Sequence, residues 1–340
     1  MEPLHSFAWY ARQIAPSLPK KAFQPEPLRL IGGFIYIFLT MMSSYLIIQY
    51  PGNFFVNLLL SIVIGVCFSG MIFLTHEILH GTVVRKKRLQ NILGMIFFWP
   101  LCVSPVFWIK WHNLSHHIHT QNSKKDPDIK FFFQGNRIWD TVPFILYGIY
   151  KLMAPLLGVS IYAHIVLINM FKDFPLKKRL VIILTTIIPW VSWLGLLLWI
   201  GPYNWIFVYL IPLFIANYII TLYLGTQHYL NPGTYVNDPL ANTLTVTVPR
   251  WIDWLHFNFS YHTEHHVFPG MSSKYYPLVK KELKERWPHL YQEMSMVEAL
   301  KIWFRTKNHE FTFTNLKNTY EIQENKQKYK GVKETFKNRK

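Results

Sequence analysis

The chain has 340 residues, about half of them apolar and only 16% charged, against roughly 25% charged in an average soluble domain, a skew that points to lipid contact. Its two cysteines, Cys67 and Cys102, sit in apolar stretches and exclude a disulfide framework, a Cys-rich zinc site and an iron–sulfur cluster. Metal chemistry would fall on His, Asp and Glu, and there are 15 histidines.

Residues 1–29 are expected to be a cytoplasmic N-terminal segment. Met1 to Lys20 contains Pro16 and Pro19 and no apolar run behind a basic start, so it does not read as a cleaved signal peptide. Leu30 to Ile48 is nearly free of polar side chains and matches the ~20 residues that a helix needs to cross hydrocarbon. After the short turn Gln49 to Asn53, the run Phe54 to Thr75 has the same character, which predicts a helical hairpin.

Ile92 to Ile109 and Val142 to Phe171 are also apolar but are broken by Pro100, Pro105, Pro143 and Pro155, and are expected at the membrane interface. A second hairpin is predicted from Leu180 to Ile200 and Trp205 to Thr226, joined by Gly201 to Asn204, with aromatic residues at the turn where interfacial aromatics belong. The expected fold class is therefore all-α: a polytopic membrane protein with four transmembrane helices in two hairpins and a helical cytoplasmic cap. A single domain would cover 30–305, and the polar, Lys-rich stretch 306–340 would be a surface tail.

No Lys or Arg occurs in either hairpin turn; all 35 fall before the first span, between the second and third, or after the fourth. Basic residues concentrate in loops that stay cytoplasmic, so both termini and the central loop are assigned to that side. The formal net charge of +17 is then explained by topology and anionic headgroups rather than by nucleic acid.

The histidines fall into three groups on that same face. His76-Glu77-Ile78-Leu79-His80 begins where the second span ends, and on a continuing helix its i, i+4 imidazoles lie about 6 Å apart at Cβ. His112-Asn113-Leu114-Ser115-His116-His117 repeats the pair with an added neighbour, and His262-Thr263-Glu264-His265-His266 follows the last span. Imidazole suits iron, zinc, copper and nickel, and one four-coordinate zinc would use at most four of these eight side chains. Two ions are expected, and a thiolate-free imidazole set suits O2 chemistry at iron better than structural zinc. Glu77 and Glu264, inside the groups, are expected to orient ring N–H groups.

These three groups in order, HEILH, HNLSHH and HTEHH, resemble the histidine boxes of the membrane-bound fatty acid desaturases and related hydroxylases. The flanking Asn258-Phe-Ser-Tyr, Val267-Phe-Pro-Gly270 and Asp126-Pro-Asp128 segments resemble the family as well. The resemblance extends from the first span to about Trp287. It implies a non-haem di-iron centre, O2 as co-substrate, an acyl-lipid or acyl-thioester substrate and an external electron donor such as ferredoxin or a cytochrome. It also implies a ninth ligand near the end of the fourth span, where His228 stands. In some relatives an Asn assists the metal through water, a role open to Asn258 or Asn217.

The metal set expected from the residues and the resemblance is His76, His80, His112, His116, His117, His228, His262, His265 and His266, with no further catalytic side chain. Two alternatives stand beside a desaturase. A related di-iron hydroxylase or ketolase would act on a carotenoid, sphingolipid or alkane. An intramembrane zinc hydrolase would use HEILH with Glu77 as base, but it leaves the other two histidine groups unexplained.

Overall fold

The computed structural model describes residues 3–122, 124–128 and 143–305; the expected basic tail at 306–340 lies outside the described residues. Among them the chain is mostly helical, with one two-stranded parallel sheet. It divides into two compact units. One comprises Pro25–Lys110 and Leu152–Thr221, the other Met1–Gln24, Trp111–Lys151 and Leu222–Lys340.

The first unit holds the long apolar helices. Uninterrupted apolar sequence winds into helices at Leu30–Gln49 and Phe54–Leu79, and Pro51 stops the first because it cannot continue the backbone ladder. The second starts at Asn53, whose side chain accepts from Val56 N–H at 3.1 Å, the usual way of satisfying a free first-turn donor. It runs beyond the expected end at Thr75 and so carries His76 and Glu77 within it. Its packing against the first helix depends on Gly70, where an added Cβ would lie 2.4 Å from the Tyr36 ring; small residues allow such close approach between membrane helices.

Among the described residues, three helical runs are long and apolar enough to cross a membrane: Pro27–Gln49, Phe54–His80 and Leu176–Gln227. The third has 52 residues, about 78 Å at 1.5 Å per residue, more than twice the ~30 Å hydrocarbon thickness. Its helical backbone is interrupted at Gly201 (φ 76°, ψ 164°), inside the expected turn, and Ile206–Leu210 winds as a π-helix before the Ile211–Gln227 helix. The bent pair Ile145–Leu156 and Gly158–Asp173, expected at the interface, counts as a fourth candidate if taken as one span.

Phe55, Leu198 and Trp199 are about 80% or more exposed on these helices, a surface that suits lipid tails and not water. Several polar groups inside the unit are matched. Ser61 Oγ donates to the Phe207 carbonyl at 2.6 Å. Asn217 accepts from Ser160 N–H at 2.8 Å and donates to the Leu213 carbonyl, which caps the Gly158–Met170 helix and commits its amide there.

The second unit is built from shorter pieces. Its core gathers Tyr10 and Ile14 from the Phe7–Ile14 helix, Val267 and Phe268 after the third histidine group, and Tyr276, Val279 and Leu283 from the Tyr276–Arg286 helix. Burying each such side chain contributes roughly 1.5–3 kcal/mol. Thr245–Thr247 pairs in parallel with Glu293–Ser295. Asp238 ties the N-terminal segment down: Oδ2 accepts from His5 N–H and Tyr10 O–H, while Oδ1 accepts from Leu240 and Ala241 N–H.

Candidate metal centre

Seven of the nine expected ligands belong to the second unit. The segment that carries His112 is not an ordinary α-helix: Ile109–His116 is π-wound, and only at His117 does α-helical winding resume. A π-turn aligns residues five apart rather than four. His112 Nε2 therefore meets His117 Nε2 at 3.1 Å, and His117 Nε2 lies 3.0 Å from His265 Nε2. This first cluster is His112, His117 and His265.

His116, one residue before His117, turns to a second cluster with His228 and His266, in which one ring nitrogen of each lies within 4.8 Å of the others. His262 joins it, its Nε2 2.6 Å from His228 Nε2. The third group sits on the His262–Val267 helix, where neighbouring residues are about 100° apart around the axis and i, i+4 residues share a face. His262 and His266 accordingly go to one cluster and His265 to the other.

The rings are held from behind. His116 Nδ1 is 3.1 Å from Asp126 Oδ1 and 3.2 Å from Asp128 Oδ2. Asp126 Oδ2 also accepts from Gln121 N–H, and Asp128 Oδ1 accepts from Trp111 Nε1 at 2.6 Å. His265 Nδ1 is 2.9 Å from the Tyr276 hydroxyl, and His266 Nδ1 is 3.3 Å from Thr120 Oγ1. Thr120 Oγ1 donates to the His116 carbonyl, so its oxygen is available as the acceptor for His266 Nδ1–H.

The backbone around the clusters is tied in the same way. Gln121 Nε2 donates to the His228 carbonyl, Asn237 Nδ2 to the His117 carbonyl and Asn242 Nδ2 to the Thr120 carbonyl. Gly225, three residues before His228, lets the Trp303 ring pack within 2.7 Å of where a Cβ would stand. Lys151 Nζ donates to the Trp303 carbonyl and holds that indole's helix in place.

Burial, then the neighbouring imidazoles, push His266 well below the ordinary histidine range, so it is neutral, the form that binds metal. Burial also lowers His116, but Asp126 and Asp128 more than offset it and raise the group to about 9. Loading of a cation there would displace a proton.

The second cluster meets the chemical test for a metal. His116 Nε2 and His266 Nε2 are buried and have no hydrogen-bond partner among the described residues, while the opposite nitrogen of each ring is engaged. A buried unsatisfied nitrogen costs roughly 1–3 kcal/mol, and a bound cation removes that cost. The donor set, imidazoles with carboxylate support and no thiolate, fits iron.

His76 and His80 lie in the first unit, ring centroids 4.6 Å apart, with Trp108 edge-on to both. Glu77 accepts from Thr82 Oγ1 at 3.2 Å and lies 4.0 Å from His76 Nδ1. The Glu264 carboxylate is occupied by the Thr245 and Tyr291 hydroxyls. Asn258 donates to the Ser273 carbonyl, holding a left-handed turn at φ 60°. The sequence marks Asp126 and Asp128 only through their family-like segment and carries no signal for Thr120 or Tyr276, whose contacts are made in the folded chain.

The fatty acid desaturase family model matches residues 53–298. A Delta(8)-fatty-acid desaturase of Helianthus annuus is 20% identical over 297 residues, covering 76% of this chain and 63% of its own length. A Delta 8-(E)-sphingolipid desaturase of Lachancea kluyveri is 23% identical over 61% of this chain and 43% of its own. For an acyl-lipid (9-3)-desaturase of Borago officinalis the figures are 27%, 58% and 50%. The matches thus span 43% to 63% of the length of these relatives.

Proposed function

This chain belongs to the fatty acid desaturase family, and from that premise we propose that it is an O2-dependent membrane oxidoreductase that inserts a double bond into an acyl chain. The observation that carries the proposal is the sorting of seven histidines into two adjacent clusters, each ring braced from behind or packed among the others. Two clusters call for two iron ions. His112, His117 and His265 would hold one; His116, His228, His262 and His266 would hold the other. The family reading adds His76 and His80 of the first unit to the ligand set.

The bound irons would supply the O2 activation and C–H oxidation that no side chain can perform. The overall reaction removes two hydrogens from adjacent carbons and, with two electrons and two protons from an external donor, reduces O2 to two waters. The protein's own residues keep the ligands oriented. Asp126 and Asp128 hold the proton of His116 at Nδ1, so that Nε2 would be the atom left to hold an ion. Thr120 does the same for His266. Such fixed geometry matters because a misplacement of about 1 Å can cost roughly 10²-fold in rate.

The donor in this reading is a ferredoxin or a cytochrome, steered by the basic surface toward a cytoplasmic active site, with both termini on that side. Turnover insensitive to ionic strength in a donor titration would count against the steering. The substrate claim is tested by expressing the chain in a host of known lipid composition, with a donor supplied. New unsaturated acyl chains should appear with the wild type and be absent with His265→Ala. Oxygenated products without any alkene would replace the desaturase by a hydroxylase.

A further inference from the structure

Tyr276 is 1% exposed, and its hydroxyl lies 2.9 Å from His265 Nδ1, eleven residues back along the chain. It opens the Tyr276–Arg286 helix. Its ring is fixed in the core with Tyr10, Ile14, Val279 and Leu283, so the hydroxyl has little freedom to follow a moving partner. On the other side of the His265 ring, Nε2 lies 3.0 Å from His117 Nε2.

If Nε2 is the nitrogen turned to the ligand cluster, Nδ1 must carry the ring proton, and the group there to accept it is a neutral phenol oxygen. His116 in the neighbouring cluster has two carboxylates in the equivalent position. Carboxylate support makes an imidazole a stronger donor than phenol support does, and partners of this kind fix ring orientation as well.

We infer that Tyr276 is a positioning residue for His265, acting on one ion position and leaving to Asp126 the equivalent task at the other. The inference rests on the two-ion reading of the clusters. It assigns to a buried core tyrosine, anchored by the N-terminal helix, the tautomer and aim of one ligand. The sequence from 267 to 275 only connects them; it is the core that places the hydroxyl.

The test uses the full chain in detergent, loaded anaerobically with ferrous iron, with iron per chain followed through a chelator titration and the iron spectrum followed by Mössbauer spectroscopy. Tyr276→Phe keeps the packed ring and removes the acceptor. One iron should leave at a chelator concentration roughly tenfold or more below the wild-type value, with one spectral component altered and the other unchanged. Asp126→Asn should alter the other component.

Equal loosening of both irons in Tyr276→Phe, or unchanged retention and spectrum, overturns the inference. A wild-type chain that holds only one iron sinks the two-ion reading instead. The dependence of that iron on Tyr276 is still read from the same titration.

Discussion

His112 meets His117 end to end: the two Nε2 atoms are 3.1 Å apart across a π-wound turn, while the His116 ring stacks beside His112 with centroids 5.1 Å apart. Adjacent histidines are thereby sent to different clusters, since His116 lies with His228 and His266. Removing one ligand should then affect one ion. His117→Ala and His116→Ala should each lower iron content by about one per chain, and deleting Ser115, which closes the five-residue spacing to four, should remove both. Metal analysis of the purified variants checks this, and loss of both ions from each single alanine variant would contradict separate clusters.

Gly225→Ala should be destabilising by about 1–3 kcal/mol, the usual cost of overpacking a tight contact. The added Cβ would sit 2.7 Å from the Trp303 indole, and Lys151, hydrogen-bonded to the Trp303 carbonyl, resists the ring's retreat. The strain falls three residues before His228. A lower thermal midpoint is expected, and an unchanged midpoint would show that the indole moves freely.

Glu264→Gln should lower stability and leave the iron stoichiometry unchanged. Its carboxylate accepts from the Thr245 and Tyr291 hydroxyls, and a glutamine must turn its NH2 toward one of them, a mismatch of roughly 1–3 kcal/mol in a buried place. Iron loss with an unaltered thermal midpoint would instead restore Glu264 to a role in orienting a ring.

Asp238 provides a pH dependence away from the clusters. Burial raises its carboxyl from the ordinary 3.8 to about 6, with the hydrogen bonds from His5, Tyr10, Ala241 and Leu240 opposing that shift. The folded chain therefore holds this proton more tightly than the unfolded chain. Between about pH 4 and 6 this residue's contribution to stability should increase as pH falls, by up to about 3 kcal/mol, and its ionised form should cost that much above pH 6. Asp238→Asn should lack this component. Thermal midpoints of wild type and variant, compared across that range, should converge toward low pH; parallel curves would contradict the assignment.

The histidine groups, the apolar runs and the break near Gly201 were legible in the sequence because each is a local signal, set by residue type over a few turns of chain. His228 entered only through the likeness to a family, since a single histidine carries no spacing of its own. His112 keeps its expected neighbour His116, with ring centroids 5.1 Å apart, and the π-wound turn brings His117 to it as well, for a physical reason. Whether a helix winds with four or five residues between partners is decided by what its side chains meet: here Trp111 on Asp128, His116 on Asp126 and His117 beside His265.

Sequence alone therefore determined the chemistry that this chain can support: many imidazoles, no thiolate site, and helices apolar enough for lipid. Only the tertiary structure decided which imidazoles lie together, that Glu264 and Asn258 hydrogen-bond to the scaffold, and that Tyr276 and Thr120 stand behind histidine rings. Those assignments depend on contacts between residues up to 148 positions apart, and a contact of that kind leaves no periodicity to read along the chain.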